Sequence, residues 1–343
     1  MLKHFSNYEN FVDLRKLNRQ LNNHIMKRIF TTCLATAILL SAKAQEPDKA
    51  LTRVRYTFTH VTDTTQKDKP KVENMLLVTG KNASVFTSYD KMNQAKNMQM
   101  QIMEQMKNQA GNGNVKIEVK SETKAPLTQE DYFFFANEHK MITKERVFNN
   151  YLIEEPAPAI SWKILKDTMS FSGIACQKAT THFKGRNWIA WFATDIPFQS
   201  GPWKLNGLPG LIIEAYDDKK EVKFEFAGLE NVKETNATDN TDGEVKIAAP
   251  SGGVSSVKIM GMDISTSYLG SEIKLPTNAI KTTRKELDKL KTARDKDPQG
   301  FMQAQMAANG MQGSFKTNQA PRPVSKTANK AEINNPIEIE DKK

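Results

Sequence analysis

A succession of short runs in which apolar and polar residues alternate, each closed by a turn-forming cluster, most narrows the folds open to this chain. Thr52 to Val61 sets Val54, Tyr56, Phe58 and His60 against Arg53, Arg55, Thr57 and Thr59. A period of two with β-branched and aromatic enrichment predicts a half-buried strand. Asn74 to Thr79 and Ala83 to Tyr89 follow on either side of Gly80-Lys81-Asn82, a triplet suited to a hairpin. Further runs are Val115 to Lys120, Tyr132 to Phe135, Met141 to Phe148, Tyr151 to Glu154, Cys176 to Phe183, Arg186 to Thr194, Leu211 to Asp217 and Glu221 to Glu230. Lys184-Gly185-Arg186-Asn187 and Asp217-Asp218-Lys219-Lys220 separate pairs of runs at hairpin spacing, and a turn is expected over Ser170 to Gly173. Short strands in succession favour an antiparallel meander over a βαβ fold.

Two stretches break this pattern. Residues 92–110 place Met92, Ala95, Met98, Ile102 and Met106 close to one helical face among good helix formers, and Gly111-Asn112-Gly113-Asn114 ends the run. Residues 280–313 read as helical, charged over Ile280 to Arg294 and then carrying Met302, Met306 and Met311. Residues 314–343 are polar with Pro321 and Pro323 and read as a flexible tail. One apolar bead, Asn335-Pro336-Ile337-Glu338-Ile339-Glu340, stands near its end.

Gly201-Pro202-Trp203-Lys204-Leu205-Asn206-Gly207-Leu208-Pro209-Gly210-Leu211-Ile212 packs two turn signals and a tryptophan in front of a strand. Pro209-Gly210 fits the centre of a type II turn, proline presetting φ and glycine accepting a positive φ. The run supplies no nucleophile, general base or metal-ligand set, so its expected role is conformational.

The start of the chain reads as an address. Met26-Lys27-Arg28, the apolar run Ile29 to Leu40, and Ser41-Ala42-Lys43-Ala44 before Gln45 have the layout of a signal peptide over residues 26–44. The apolar run is too short to span a membrane. Residues 1–25 precede it and read as an over-extended start. Residues 1–44 hold 7 Lys/Arg and 2 Asp/Glu, so the remainder has 49 − 7 = 42 basic and 39 − 2 = 37 acidic residues, and the net charge falls from +10 to +5. The remaining basic residues are interspersed with acidic ones, and no nucleic-acid partner is expected. Cys176 is the one cysteine left, which excludes an internal disulfide. Its apolar neighbours give it the part of a buried small hydrophobe.

Gly207-Leu208-Pro209-Gly210-Leu211-Ile212 is the hexapeptide for which the GLPGLI family of exported Bacteroidetes proteins is named. The wider frame resembles that family over most of residues 50–235: Tyr56 in the first strand, Gly173 to Lys178, Trp191-Phe192-Ala193, Asp195-Ile196-Pro197 and Gly201-Pro202-Trp203. Asn335-Pro336-Ile337-Glu338 is similar to the family's terminal motif. The family is of unknown function, so the resemblance implies export but no catalytic residues.

Candidate chemistries are few. His60, His139 and His182 lack the i, i+4 spacing of a zinc protease. Glu154-Glu155 and Asp217-Asp218 are adjacent on strands, point to opposite faces and read as surface turn charges. No cofactor is expected. Met100, Met103 and Met106 fall at i, i+3 and i+6, a spacing that suits Cu(I), but methionine is also an adaptable filler of apolar surfaces. Met92, Met98, Ile102 and Met106 are the residues expected on a lid or ligand face. Of the tryptophans, Trp188 and Trp191 are an odd number apart and should face opposite sides of a strand.

The expected architecture is mainly β, one domain over residues 50–275. It is a curved antiparallel sheet, an open or half-closed barrel resembling LolA-type periplasmic lipoprotein carriers, with one or two methionine-rich helices packed on it. The expected function is a non-enzymatic exported binding protein of the cell envelope, periplasmic or outer-membrane associated, holding a hydrophobic ligand or lipid. The alternatives are a docking accessory of outer-membrane transport, with the Ile337/Ile339 bead contacting an envelope protein, and an undetected hydrolase.

Overall fold

The alternating runs become one large sheet. The computed structural model describes residues 47–108, 127–232, 244–248, 254–258, 267–308 and 333–340, within a unit that spans Pro47–Lys343. After β1 (Asp48–Lys49), a two-residue strand outside the main sheet, the first meander in chain order is β2 (Thr52–His60), β3 (Lys71–Thr79), β4 (Ala83–Ser88), helix α1 (Tyr89–Asn108), β5 (Asp131–Phe135), β6 (Lys140–Arg146) and β7 (Asn150–Pro156). The second is β8 (Lys163–Phe171), β9 (Ile174–Phe183), β10 (Arg186–Ala193), β11 (Leu211–Asp217) and β12 (Val222–Asn231). After these come the hairpin β13 (Glu244–Ala248) and β14 (Val254–Lys258), the short 3-10 helix Ser267–Leu269, β15 (Glu272–Ile273), β16 (Ile280–Thr282), α2 (Arg284–Lys296) and α3 (Pro298–Ala308).

Twelve strands form the main sheet in the order β16-β7-β6-β5-β4-β3-β2-β12-β11-β10-β9-β8. The two meanders meet where β12 pairs with β2, and the sheet does not close. Every pairing is antiparallel except β16 with β7. The sheet is curved. Phe86 on β4 and Phe224 on β12 stand three strands apart, about 14 Å in a flat sheet, yet their ring centroids are 5.8 Å apart.

Both faces of the middle strands are apolar. Tyr56, Phe58, Met75, Leu77 and Phe86 join Trp188, Ala190, Phe192, Ala215 and Phe224 in one core. Leu76, Val78, Val85, Phe133, Ile142 and Leu152 form a second core with Met92 of α1, Tyr268 and Ile273. Strands buried on both sides lose strict alternation, which is why β3 and β4 read as near-continuous apolar runs. α2 starts at a capping box, Thr283 with Glu286, and buries Leu287 against Tyr151 and Ile153. Glu145 of β6 ties that helix down through Arg284 and Lys291.

Three expectations change. Residues 163–171 form a full strand, with the turn confined to Ser172-Gly173. That strand is the sheet edge and is exposed along most of its length, so its sequence carries no burial alternation. Residues 280–282 are strand rather than helix, and a helix begins at Arg284. Within the expected flexible tail of residues 314–343, Asn335 to Ile339 are held in place by hydrogen bonds to the folded unit. The strand expected over 115–120 lies outside the described residues.

Candidate functional site

The hexapeptide and the loop before it lie across the first core. Trp203, Leu205, Leu208 and Ile212 are all buried there. Leu205 N–H donates to Pro202 O at 3.1 Å, closing a turn in which Trp203 has φ 55°. A bulky residue rarely adopts that region. The ring is held by packing, with centroids 5.6 Å from Trp188 and 5.7 Å from Phe183. The amides of Leu211 and Ile212 donate to Ile196 O and Ser200 O. A bulge follows, where Trp191 pairs with Glu214 and Phe192 with Ile212, leaving Ile213 as the extra residue. The Tyr56 hydroxyl donates to Ile212 O at 2.6 Å, joining the first strand to the hexapeptide. Burial, with the Cys176 thiol as the lesser cause, pushes this phenol far above the ordinary tyrosine value. Tyr56→Phe should cost about 1–2 kcal/mol by leaving a buried carbonyl unpaired, measurable as a lower urea midpoint with unchanged far-UV circular dichroism.

The positive-φ glycine is Gly207 (φ 86°) rather than Gly210. Gly210 is required for another reason: an added Cβ would overlap the carbonyl oxygen of Ala193, at the end of β10. The overlap is with backbone, so no rotamer relieves it. Gly210→Val should destabilise by about 2–3 kcal/mol, read by thermal unfolding. Pro209 itself is exposed.

A second constellation lies at one end of this core, on the same sheet face. Arg186 opens β10 and is 4% exposed. Its Nη1 donates to Asp217 of β11 at 2.7 Å. Asp217 also accepts the Val222 amide at 2.9 Å, so the pair is fixed by sheet residues. The other donors of Arg186 face the C-terminal segment: Nη2 to Asn335 Oδ1 and to Pro336 O, both 2.7 Å, and Nε to Ile337 O at 3.0 Å. Asn335 Nδ2 donates to Val61 O at 2.7 Å and to Glu221 Oε2 at 3.2 Å. Its backbone N–H donates to Thr62 O, and His60 Nε2 donates to its carbonyl at 2.7 Å. Glu338 is paired with Lys204 of the hexapeptide loop and with Lys184 of the β9–β10 turn. Ile337 packs on the first core. Gly185 has φ 71°, and a Cβ there would overlap Ile339.

Sequence reasoning missed Arg186 and misjudged Asp217, which is 1% exposed rather than a surface turn charge. A signal was present: Arg186, Trp188, Ala190 and Phe192 alternate in phase, which puts an arginine on the buried face. Burial lowers the His60 pKa, the Asn335 carbonyl opposing and the Arg186 and Lys71 charges adding to the effect. Burial alone would raise Glu338, but Lys204 and Lys184 outweigh it and hold its carboxyl below the ordinary value.

On the opposite face, Asp131 at the start of β5 is fully buried. It pairs with Lys91 of α1 at 2.7 Å and Lys144 of β6 at 3.1 Å. Thr87 Oγ1 and Tyr268 Oη donate to it at 2.6 and 3.0 Å. This cluster ties α1 and the Ser267–Leu269 turn to the sheet.

The remaining expected positions separate. On α1, Met92 and Ile102 are buried, Met98 is half-buried, and Met100 and Met103 are exposed. The side chain of Met106 lies outside the described residues. Among the described residues no cluster of three His, Cys, Asp or Glu residues could hold a metal. Cys176 is buried with its thiol pushed up to about 11 by burial and Glu214, a poor nucleophile at neutral pH. Trp188 and Trp191 do face opposite sides: Trp188 stacks with Phe224, and Trp191 lies against Phe171 and Lys178. Among the described residues no helix is long and apolar enough to cross a membrane.

No curated protein matches this chain. Two solved structures of PNGF-II, in P21 and C2 space groups, are similar to it at 11% and 12% identity with TM-scores of 0.39 and 0.38. Each comparison covers 55% of this chain and 29% of the other, so this chain matches under a third of their length. Residues 77–214, from β3 to the strand that the hexapeptide opens, match the model of a family described as "Protein of unknown function (Porph_ging)".

Proposed function

We propose that this chain is an exported, non-enzymatic binding protein of the cell envelope that holds a hydrophobic ligand, a lipid or acyl chain, between α1 and the second face of the sheet. The observation that supports this reading is the make-up of that face. Leu76, Val78, Val85, Phe133, Ile142 and Leu152 are covered by Met92 of α1, by Tyr268 and by Ile273 of the two-residue strand β15. The first turn of α1 is tied down by Asp90 to Asn74 and by Lys91 to Asp131. Further along, Met92 and Ile102 supply buried contacts, and methionine repacks readily around guests of different shape. A cavity of about 170 Å³, lined by Ile142, Leu152, Ile153 and Leu275 among others, opens beside the same face. Glu154, Glu155, Lys281 and Arg284 also line this cavity and no residue of α1 does, so an acyl chain held under α1 needs that helix to move off the buried contacts of Met92 and Ile102.

Native mass spectrometry of protein recovered from the envelope fraction tests this, together with uptake of a fluorescent fatty-acid analogue. Adducts that extract as lipid, and a probe they displace, are the expected results. Folded protein that arrives without lipid and takes up no probe ends this reading.

A further inference from the structure

The segment Asn335-Pro336-Ile337-Glu338 is held as a ligand is held. Its backbone amides donate from Asn335 to Thr62 O and from Ile339 to Lys184 O; the carbonyls of Asn335, Pro336 and Ile337 accept from His60 and Arg186, and the side chains of Asn335, Ile337 and Glu338 are recognised besides. Asn335 has its amide oxygen, amide nitrogen, backbone N–H and carbonyl all paired, to Arg186, to Val61 and Glu221, to Thr62 and to His60. An aspartate there would place a second carboxylate oxygen against Glu221, so the site selects the amide. Proline follows, and it needs no amide partner. Ile337 enters the apolar end of the core, and two lysines receive Glu338. The central receiving group has a support outside the segment: Arg186 is set by Asp217, and Asp217 by the Val222 amide.

We infer that this cradle is a peptide-recognition site for extended Asn-Pro-Ile-Glu segments, occupied by the chain's own C-terminus and open to exchange with the C-terminus of a second copy. The second copy is favoured because it carries the same Asn-Pro-Ile-Glu sequence that pairs here with Arg186, His60, Val61, Glu221, Lys204 and Lys184. Residues 309–332 join the segment to α3. A connection of about 24 residues reaches at most about 80 Å, so the same tether serves insertion into its own cradle or a neighbour's. Exchange of an identical element is a low-cost route to association. In cis the tether acts as a high local concentration, so self-occupancy dominates in dilute solution. The inference is independent of the lipid reading, since the cradle lies at the end of the other sheet face.

The test uses the full chain carrying Asn335→Ala and Glu338→Lys, whose own segment no longer fits, and a labelled peptide of residues Ile333–Glu340. By fluorescence anisotropy the peptide should bind the double variant at least about tenfold more tightly than it binds the wild-type chain, whose segment competes. The peptide carrying Asn335→Ala should bind about tenfold more weakly or worse. If the double variant is unstable, the wild-type peptide should raise its unfolding midpoint by mass action. Absence of both binding and stabilisation, or equal binding of the two peptides, overturns the recognition site. Mixing the double variant with concentrated wild-type chain should give a one-to-one complex by light scattering after size exclusion. Peptide binding without that complex overturns exchange between copies.

Discussion

Replacing Arg186 by methionine should destabilise the protein by about 3–5 kcal/mol, the cost expected when one partner of a buried ion pair is removed. Methionine matches the aliphatic stem, so the loss falls on the guanidinium. Asp217, 1% exposed, would keep the Val222 amide but lose its counter-charge. Asn335, Pro336 and Ile337 would each lose an acceptor contact. Chemical unfolding should show the fall in stability, and hydrogen exchange should show residues Asn334 to Ile339 released even where the rest stays folded. Lys204→Met is the contrast: its pair with Glu338 is partly exposed and should be worth less than about 1 kcal/mol. Acid should imitate the first variant in part. The folded pKa values of His60 and Glu338 are both depressed from 6.5 and 4.5. Each therefore contributes stability that is present above its unfolded value and lost as the pH falls through its folded one. Overall stability should begin to fall below pH 6.5 through buried His60, although its bond to the Asn335 carbonyl opposes that loss, and docking of the segment should weaken below 4.5 as Glu338 protonates.

The strands of the two meanders were legible because most have one buried face, and a period of two survives translation into sequence. Edges were harder. β8 is exposed on both faces, and β16 has three residues and pairs in parallel, so neither leaves a periodic trace. The hexapeptide announced a turn and a buried strand. Why it needs Gly210, however, depends on Ala193 in a strand that precedes it by a long loop, and sequence spacing cannot show such an approach. The cradle was half legible. His60 stood in phase with Val54, Tyr56 and Phe58, whereas Arg186, though in phase with Trp188, was read as part of a turn. Their shared partner lies 149 positions or more away in sequence. Only the fold brings the Asn335 segment to them: the sequence marks the Ile337/Ile339 bead as a contact, but not that its partner is this chain's own sheet.

The second large effect is expected on the other sheet face. Asp131→Asn preserves shape and leaves Thr87 and Tyr268 as hydrogen-bond neighbours, but it removes the negative charge between Lys91 and Lys144. Lys91 is 18% exposed and can turn towards water, whereas Lys144 is 2% exposed and cannot. The substitution should cost about 3–5 kcal/mol at neutral pH. Burial alone would raise the Asp131 pKa, but the two ammonium groups outweigh it and hold the carboxyl far below its ordinary value of 3.8. Its contribution is thus complete above that value and lost only in strong acid, so the wild-type protein should show no loss from this cluster between pH 5 and 8. The variant differs in a way that volume or packing cannot mimic. Burial disfavours the charged form of a lysine, and the substitution removes the Asp131 carboxylate that offsets this for Lys144. Raising the pH towards the ordinary lysine value of about 10 should let Lys144 shed its proton and narrow the gap to wild type. A deficit that stays constant from pH 7 to 10 would show that Asp131 acts through hydrogen-bond geometry alone. A gap that narrows would show that the charge of this carboxylate fixes α1 and the Ser267–Leu269 turn over the second face.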